Sequence, residues 1–340
     1  MKTVTADVVV DLQFGDCGKG KVVHHLAKNG NYTHVVRYNG GSNAGHTIYH
    51  EGKKYVTHLV PAGVFHGIMS VIGGGCVVDA DKLLHEIELL DEAGFRASDL
   101  VRVSKNAHVT TKEHVAEETG ETKIGTTRTG NGPAYRDKHA RVGIRAEDVP
   151  SLSKFLIDPY ECFWDNRHEL GSHVLMEGAQ GFGLDVDWGD YPFVSSSNCT
   201  VAAAVNAGVP PQNITEVIGV AKPYVTYVGS KAFAGDHPDL TEIQRVGQEF
   251  GATTGRPRQC NWLHLPELVK AANINGVTKL VMNKLDVLED VGAYRAFIKD
   301  GGEVREFVDL PSFTKFVENH LYESCEQLEE VVWSSSPEKI

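Results

Sequence analysis

The sequence predicts an α/β fold in which a mostly parallel central sheet is flanked by helices. Short apolar segments rich in β-branched residues alternate with segments of helical spacing, as in sheets whose strands are joined by crossover helices. The first apolar segment runs directly into a glycine-rich turn with two lysines, the arrangement of a P-loop-like phosphate loop. The chain has 340 residues, 35 glycines and no internal repeat or linker. We therefore expect one domain, residues 1–340, with long functional loops.

The individual elements are predicted from local patterns. Strands are expected where short valine- and isoleucine-rich segments occur, at Val4–Leu12, Thr33–Arg37, Ser70–Ile72, Val174–Glu177, Val217–Val220 and Lys279–Met282. Helices are expected where apolar residues recur every three or four positions, at Val22–Lys28, Asp81–Ala93, Leu265–Ala272 and Ser312–Leu321. The stretch Lys112–Pro133 is polar and glycine-rich, so a mobile loop is expected there.

Composition excludes several classes of protein. A formal net charge of -12 argues against a nucleic-acid-binding protein, which needs a basic surface. The six cysteines form no C-x-x-C motif and are expected to be reduced, mostly buried thiols of a cytoplasmic protein. The N-terminal segment reaches acidic residues and glycine too early for a signal peptide. No apolar run is long enough to span a membrane, so no membrane association is expected.

The turn Gly15–Lys21 fits the phosphate-loop pattern G-x-x-x-x-G-K. Its glycine amides and its lysines, Lys19 and Lys21, can hold phosphate at a helix N-terminus. The next residue is Val22, where a P-loop has a hydroxyl that binds magnesium, so another oxygen must bind the metal. Asp16 is adjacent. The alternative is a tight turn with two solvated lysines.

Three further polar segments are candidate sites. In Asn43–Thr47, a second polar turn, His46 can act as a general acid or hydrogen-bond donor, although a single histidine is more often structural. The arginines of Thr253–Arg258 suit a dicarboxylate or a phosphate because a guanidinium binds such oxygens in pairs; an exposed basic turn is the alternative. Asn283–Asp286 matches N-K-x-D, whose aspartate accepts hydrogen bonds from guanine in GTP-binding proteins. An ordinary strand-to-loop junction is the alternative there.

Taken together, these segments resemble the adenylosuccinate synthetase family over nearly the whole chain. The matching motifs occur in the family's order: Gly15-Asp16-x-Gly18-Lys19-Gly20-Lys21, Asn43–Thr47, Ile124–Thr127, Gly132–Tyr135, Glu177–Gly181, Tyr191-Pro192, Ser196–Asn198 and Gly251–Arg256. The resemblance implies an α/β ligase that joins L-aspartate to C6 of a purine nucleoside monophosphate through a 6-phosphoryl intermediate. A nucleoside triphosphate and Mg²⁺ are the implied co-substrate and cofactor.

The resemblance also implies a role for each matching position. Asp16 is the expected base, with His46 and Lys19 assisting phosphoryl transfer, and Asp16 and the Gly45 carbonyl are the expected magnesium ligands. The expected triphosphate site comprises Gly15, Gly18, Lys19, Gly20, Lys21, Gly45, His46, Thr47, Arg258, Lys284, Asp286, Ser334 and Ser336. The expected monophosphate site comprises Asp16, Asn43, Thr126, Thr127, Arg141, Gln180, Leu184, Ser195, Val228, Gly229 and Arg256. L-aspartate is expected at Thr253, Thr254, Arg256 and Arg258. Arg141 is expected to reach into the neighbouring subunit's site, which implies a homodimer.

Some departures from the family pattern bear on the substrates. Cys17 replaces a usual glutamate, and Ser334–Glu338 replaces a segment that lines the triphosphate base. Asp11–Gly15 and the rebuilt loop Ser230–Asp239 resemble the short bacteriophage branch, PurZ, which uses dGMP with ATP or dATP to make the precursor of 2-aminoadenine. We therefore expect dGMP as substrate. The alternative is IMP with GTP, which Asn283–Asp286 favours, and a distant alternative is a GTP-binding switch protein.

Overall fold

The computed structural model describes residues 4–164, 171–251, 255–337 and 340. Its strands are β1 (Val4–Asp11), β2 (His34–Arg37), β3 (His46–His50), β4 (Lys53–Thr57), β5 (Met69–Ile72), β6 (Val77–Val78), β7 (Val101–Ser104), β8 (His108–Val109), β9 (Leu156–Ile157), β10 (Ser172–Glu177), β11 (Ile214–Ala221), β12 (Tyr224–Tyr227), β13 (Gln259–His264), β14 (Lys279–Met282), β15 (Arg295–Phe297), β16 (Val304–Glu306) and β17 (Glu330–Trp333).

The α-helices are α1 (Lys19–Asn29), α2 (Ala80–Glu92), α3 (Ala97–Leu100), α4 (Lys112–Glu118), α5 (Asn131–Ala140), α6 (Pro159–Trp164), α7 (Val201–Val205), α8 (Pro238–Val246), α9 (Leu265–Asn275), α10 (Leu285–Val291) and α11 (Leu310–Ser324). Short 3₁₀ segments occupy Ala62–His66, Ala146–Asp148, Pro150–Phe155, Phe182–Leu184 and Pro211–Asn213. None of the helices in the described ranges has the length and apolar composition needed to cross a bilayer.

The central sheet has nine strands in the order β17-β14-β11-β1-β10-β2-β5-β7-β9. Every pairing in it is parallel, so the predicted α/β class with a mostly parallel sheet is confirmed. β1 lies near the middle of the sheet, and the chain leaves it toward β2 on one side and returns to β11 on the other. Such a reversal opens a crevice beyond the carboxyl ends of the strands.

Hydrophobic side chains cover both faces of this sheet. Alternate residues of a strand point to opposite faces: Val8 and Val10 join one buried cluster with α9 and α11, whereas Val9 joins a second cluster with α1 and α2. Burial on both faces explains the continuous apolar runs by which the strands were predicted. The division of the chain into one domain, 1–340, stays a prediction.

Two predicted segments differ from the structure. Lys112–Pro133 is not a continuous loop, because α4 occupies its start and α5 its end. The Thr111 side chain accepts a hydrogen bond from the His114 amide, and His114 Nδ1 accepts one from the Thr111 amide, which caps α4. Likewise the polar turn predicted at Asn43–Thr47 ends early, since His46 and Thr47 already belong to β3.

Candidate active site

A cavity of ≈ 790 Å³ lies beyond the carboxyl ends of the central strands. Most residues that the sequence predicts to be functional line it: Gly15, Asp16, Gly18, Lys19, Gly20, Lys21, Asn43, Gly45, His46, Thr47, Thr126, Thr127, Gln180, Leu184, Ser195, Val228, Arg256, Arg258, Lys284, Asp286 and Ser336. Segments far apart in sequence therefore converge on one space, as a substrate site requires.

A few predicted positions lie elsewhere. Ser334 and Gly229 do not line the cavity. Ser334 Oγ accepts a hydrogen bond from Lys21, and the Gly229 carbonyl accepts one from Gln259. Arg141 caps the C-terminus of α5 on the exposed surface and does not line the cavity of its own chain. Thr253 and Thr254 lie outside the described residues.

The phosphate loop is built around a buried carboxylate. Asp11 ends β1 and is 1% exposed. Its Oδ1 accepts hydrogen bonds from the amides of Gln13 and Gly15, at 3.0 and 3.2 Å, and its Oδ2 accepts one from the Cys17 amide at 3.1 Å. The carboxylate satisfies amides that the tight turn would otherwise leave unpaired, so the loop is held in shape without a ligand.

Glycine permits close contacts at two points of this loop. Gly18 has a φ of 96° and precedes α1, and a Cβ added there would lie 2.8 Å from Asn283 Nδ2. That nitrogen donates to the Cys17 carbonyl at 2.7 Å, so the asparagine of the N-K-x-D segment fixes the phosphate loop. A Cβ on Gly20 would lie 3.1 Å from His46 Cβ, which lets β3 pack closely against the loop. No side chain caps α1, and its first amides are suited to an anion.

The two lysines of the loop have different environments. Lys19 is 5% exposed and forms an ion pair with Asp11 at 3.1 Å, and its ammonium also donates to the Gln180 carbonyl at 2.5 Å. Lys21 donates to Ser334 Oγ at 2.7 Å and to the Ser336 carbonyl at 2.9 Å. Burial lowers the pKa of Lys21 to about 8, and the nearby Asp286 opposes that shift. Both lysines therefore organise the cavity wall in addition to supplying positive charge.

Asp16 presents its carboxylate to the cavity from a left-handed backbone position with a φ of 57°. Its Oδ2 lies 2.9 Å from Arg258 Nη2, with side-chain exposures of 34% and 11%. The other end of this guanidinium pairs with Glu249, which is fully buried and also accepts hydrogen bonds from Lys222 at 3.1 Å and Tyr224 at 2.7 Å. The buried pair Lys222–Glu249 thus sets the position of Arg258, and Arg258 sets that of Asp16.

Charge neighbours keep Glu249 ionised. Burial alone would raise its pKa, but Lys222, Arg258 and Lys284 outweigh burial and lower it to about 2. Because the folded-state pKa of Glu249 lies below the ordinary glutamate value of 4.5, this group stabilises the fold above that pH and its contribution is lost as pH falls toward 2.

We expect Glu249→Gln to destabilise the protein by roughly 3–5 kcal/mol at pH 7, because it leaves the buried Lys222 without its counter-charge. Urea unfolding at pH 7 and through the range below 4.5 measures this, and the variant should lose less stability on acidification than the unmodified protein. Glu289→Gln on the exposed side of α10 is the matched control and should change neither quantity. Equal stability of the Glu249 variant and the control would show that the buried pair does not stabilise the fold.

A second buried carboxylate orients His46. Glu177 ends β10 with 0% exposure, and its Oε1 contacts His46 Nδ1 and accepts from Arg37 Nη2 at 2.8 Å. Its Oε2 accepts from the Ala62 amide at 2.9 Å. Although burial raises the pKa of Glu177, Arg37 and His46 lower it to about 2, so the carboxylate is ionised. The Nδ1–H of the imidazole therefore points at Glu177, which leaves Nε2 for a ligand.

Burial and the adjacent Arg37 lower the pKa of His46 to about 4, against the opposite effect of Glu177. The ring is therefore neutral at pH 7 in the unliganded protein. An anionic phosphate chain beside it would raise that pKa and favour the imidazolium. The residue is thus suited to donate a proton or hydrogen bond only once an anion is bound.

Residues predicted to bind the monophosphate also line the cavity. Asn43 Oδ1 accepts from Gln180 Nε2 at 3.1 Å. Glu121 accepts hydrogen bonds from the amides of Ile124, Gly125 and Thr126, which shapes the turn that carries Thr126 and Thr127. Arg256 Nη2 donates to the Gly125 carbonyl at 2.9 Å and joins this turn to the segment before β13.

Several cavity residues retain unused hydrogen-bonding capacity. Within the described ranges, buried atoms without a hydrogen-bond partner include Gln180 Oε1, Asn131 Nδ2 and Oδ1, Arg258 Nε and Asn283 Oδ1, and all four residues line the cavity. A buried polar atom left unpaired costs stability. Five of the eleven such atoms in the described ranges lie on cavity residues, where a polar ligand can pair with them.

Sequence reasoning missed the acidic residues that organise the site. Asp11 and Glu177 are the last residues of their strands, so the position of an acid at the carboxyl end of an apolar strand was an available signal. Glu249 carries no such signal, because its partners Lys222 and Tyr224 lie on another segment.

The rebuilt loop at Ser230–Asp239 lies outside the cavity lining. Gln259 Oε1 accepts from the amides of Phe233 and Ala234, and Asn261 Nδ2 donates to the Phe233 carbonyl at 3.0 Å, which anchors the loop on β13. The loop nevertheless touches cavity residues, since the Ser230 amide donates to the Ile124 carbonyl at 3.2 Å and the Phe233 ring lies 5.0 Å from that of Phe14. This loop, one of the two segments that suggested dGMP, therefore contacts cavity residues without lining the cavity itself.

Comparison with known proteins places this geometry in a family. A sequence profile of the family described as adenylosuccinate synthetase matches residues 8–158 and 147–307. The adenylosuccinate synthetase of Chlorobium limicola is 40% identical over 369 residues, covering 92% of this chain and 85% of that protein. That of Chlorobium chlorochromatii is 41% identical over 357 residues, covering 89% of this chain and 82% of that protein.

Two solved structures are also similar. Fully ligated adenylosuccinate synthetase from Plasmodium falciparum has a TM-score of 0.82 and 26% identity, with 97% of each chain covered. The cyanophage S-2L succinoaminodeoxyadenylate synthetase, PurZ, bound to dGMP and dATP, has a TM-score of 0.75 over 99% of this chain and 94% of that chain. Its identity is 23%, so this second likeness shows the fold alone.

Proposed function

The chain belongs to the adenylosuccinate synthetase family, and on that premise we propose that it joins L-aspartate to C6 of IMP with GTP as phosphoryl donor. As a member of that family it is a carbon–nitrogen ligase of purine biosynthesis that uses a purine nucleoside monophosphate, a nucleoside triphosphate and L-aspartate. Assignments of individual residues and the choice of IMP and GTP are our proposal.

The observation that carries the proposal is the position of Asp16. Its carboxylate lies in the cavity within the phosphate loop at the start of α1 and 2.9 Å from Arg258. A base at this point can take a proton from a purine ring edge while the loop amides hold the phosphates of a triphosphate.

The reaction needs activation of a poor electrophile. Asp16 removes the N1 proton of the purine, which makes O6 nucleophilic. O6 attacks the γ-phosphorus, the bond between that phosphorus and the bridging oxygen breaks, and GDP leaves. The amine of L-aspartate then attacks C6, the C6–O6 bond breaks, and O6 departs in inorganic phosphate. His46 donates a hydrogen bond to the γ-phosphoryl group through Nε2, and Lys19 and Lys21 add positive charge.

The cavity also suits the magnesium ion that the family uses. Asp16 and Gly45 both line the cavity; a carboxylate and a backbone carbonyl are hard oxygen donors, and Mg²⁺ in phosphate sites takes one or two such oxygens besides the phosphates. Asp16 and Gly45 would hold it. When bound, the ion neutralises charge on the triphosphate.

The chemistry of the cavity residues suggests where each substrate binds. Asn43, Gln180, Thr127 and the neighbouring predicted residues are proposed to bind IMP. Arg256 and Arg258 are proposed to bind the carboxylates of L-aspartate, since a guanidinium pairs with such oxygens.

Asp286 supports GTP as the donor. It lines the cavity beside Lys284 at the start of α10, next to the loop that Asn283 fixes. A carboxylate accepts hydrogen bonds from the N1–H and amino group of guanine, whereas adenine offers no such pair. The comparisons do not support the expectation of dGMP with ATP or dATP, because the relatives at about 40% identity are bacterial adenylosuccinate synthetases.

Steady-state turnover with L-aspartate tests this proposal. We expect kcat/KM for IMP with GTP to exceed that for dGMP with ATP or dATP by at least about tenfold, because a 2-amino group added to the purine must fit a site shaped without it. Crossing each monophosphate with each triphosphate separates the two choices. Phosphate release should need both L-aspartate and the monophosphate, which a GTP-binding switch would not require. Faster turnover of dGMP would reverse the substrate assignment.

Arg141 is proposed to complete the site of a second subunit in a homodimer. It is exposed at the C-terminus of α5, next to Val142, which is 71% exposed. Since it lies outside the cavity of its own chain, any contribution to substrate binding must be made in another copy.

Complementation between two inactive variants tests that arrangement. Arg141→Ala and Asp16→Asn, co-expressed, should form mixed dimers with one intact site in each, and random pairing should recover about a quarter of the unmodified activity. Each variant purified alone should remain nearly inactive. A mixture no more active than its parents would place Arg141 outside the partner's site.

A further inference from the structure

Three histidines converge beside α1, outside the lining of the cavity. His24 belongs to α1, His50 ends β3, and His66 ends the 3₁₀ segment Ala62–His66. One ring nitrogen from each lies within 4.8 Å of the other two, and His24 Nδ1 is 3.0 Å from His66 Nε2. All three are partly buried. None of them has a role in the proposed reaction.

The surroundings favour neutral imidazole rings. Phe65 packs against His24 and His50, and Phe95 against His50, with ring centroids 5.4–6.1 Å apart. Burial and the neighbouring imidazoles lower the pKa of His24 and of His66 to about 4, so at pH 7 both rings are neutral and have a lone pair available.

We propose that His24, His50 and His66 bind one divalent first-row transition metal ion of the Zn²⁺ type, with water completing the coordination. Imidazole nitrogen suits Zn²⁺, Cu²⁺ and Ni²⁺, whereas Mg²⁺ and Ca²⁺ require oxygen ligands. Zinc–nitrogen bonds of about 2.0–2.1 Å place tetrahedral ligand atoms some 3.4 Å apart. The observed separations need only small side-chain movements to reach that geometry.

Binding requires no net loss of a proton. In the hydrogen bond between His24 and His66, one of the facing nitrogens carries the proton. When both nitrogens bind the metal, that proton moves to the other nitrogen of the same ring. Each ligand is then a neutral imidazole with its remaining N–H free to donate.

The metal site would link α1 and β3, two elements that carry residues of the catalytic cavity. α1 begins with Lys19 and Lys21 of the phosphate loop, and β3 begins with His46. A metal bound by His24 and His50 therefore restrains the helix and the strand that carry these groups. Metal binding itself does not depend on the ligase reaction, so it can be tested separately.

Metal titration of the protein without an affinity tag tests this site. The metal-stripped protein, with Mg²⁺ in excess and no nucleotide, is titrated with Zn²⁺ by calorimetry and with Co²⁺ by visible spectroscopy. We expect one equivalent per chain and the absorption of four-coordinate Co²⁺ with nitrogen and oxygen ligands. Zn²⁺ should also raise the thermal unfolding midpoint.

Two separate variants guard against a folding defect. His50→Gln and His66→Gln lie on different elements, and each should weaken Zn²⁺ binding on the order of 100-fold or abolish it, since even indirect partners of a metal affect affinity by about 10–100-fold. His85→Gln on α2, with 69% of its side chain exposed, should bind like the unmodified protein. Absence of saturable binding, binding unaffected in both variants, or a thiolate–cobalt band would overturn the proposal.

Discussion

Asp16→Asn should reduce ligase turnover by about 10²–10⁴-fold, the range that a general base contributes, while the protein folds normally. The amide cannot accept the purine N1 proton. Asparagine tolerates the left-handed backbone at this position, where φ is 57°. Arg258 loses one partner but keeps Glu249, so no buried charge is left unpaired. Product formation and calorimetric binding of a non-hydrolysable GTP analogue measure the two effects.

The loss should be specific to this carboxylate. Asp290→Asn, on the exposed end of α10, is the matched control and should keep full activity. Nucleotide binding by the Asp16 variant should remain measurable because Asp11 and the loop amides are unchanged. Turnover within a few-fold of the unmodified protein would remove Asp16 as the base.

His46→Asn should lower kcat by about 10²–10³-fold, the cost of removing one donor to developing transition-state charge. The asparagine amide can occupy the place of Nδ1 and keep the contact with Glu177, but it has no group in the place of Nε2. The fold and the ionised Glu177–Arg37 pair should therefore be preserved. Single-turnover formation of GDP measures the phosphoryl-transfer step.

A second substitution separates orientation from donation. His46→Gln places an amide near Nε2 and gives up the contact with Glu177, so it should retain more activity than His46→Asn. His85→Asn, on the exposed face of α2, should have no effect. If His46→Asn transferred phosphate at the normal rate, the donor role of His46 would be wrong.

Sequence patterns predicted the local elements whose residues follow the usual signals and missed those whose residues do not. β1, the phosphate loop and α1 were predicted because a buried apolar strand, a glycine turn and a helix are contiguous. The β3–β4 hairpin was missed, since its turn residues Glu51 and Gly52, with φ of 49° and 75°, lack the usual Asn-Gly or Asp-Gly signal. α4 was missed because its capping box uses His114 in place of an acid or glutamine.

Contacts between distant segments limited prediction of the site. Glu177 bonds Arg37 and the Ala62 amide, and Glu249 bonds Lys222 and Arg258; no local spacing identifies such partners. The expectation of dGMP came from Asp11–Gly15 and from the Ser230–Asp239 loop, and that loop differs from the family pattern but does not line the cavity. A departure in sequence does not show whether the altered residues touch a ligand.

The fate of the purine C6 oxygen tests the central claim most directly. With IMP carrying ¹⁸O at C6, each ligation should transfer one ¹⁸O to inorganic phosphate, because O6 attacks the γ-phosphorus and leaves with it. Mass analysis of the phosphate, compared with the amount of succinylated product, gives this ratio. Phosphate without the label, formed together with that product, would contradict a 6-phosphoryl intermediate and the roles proposed for Asp16 and His46.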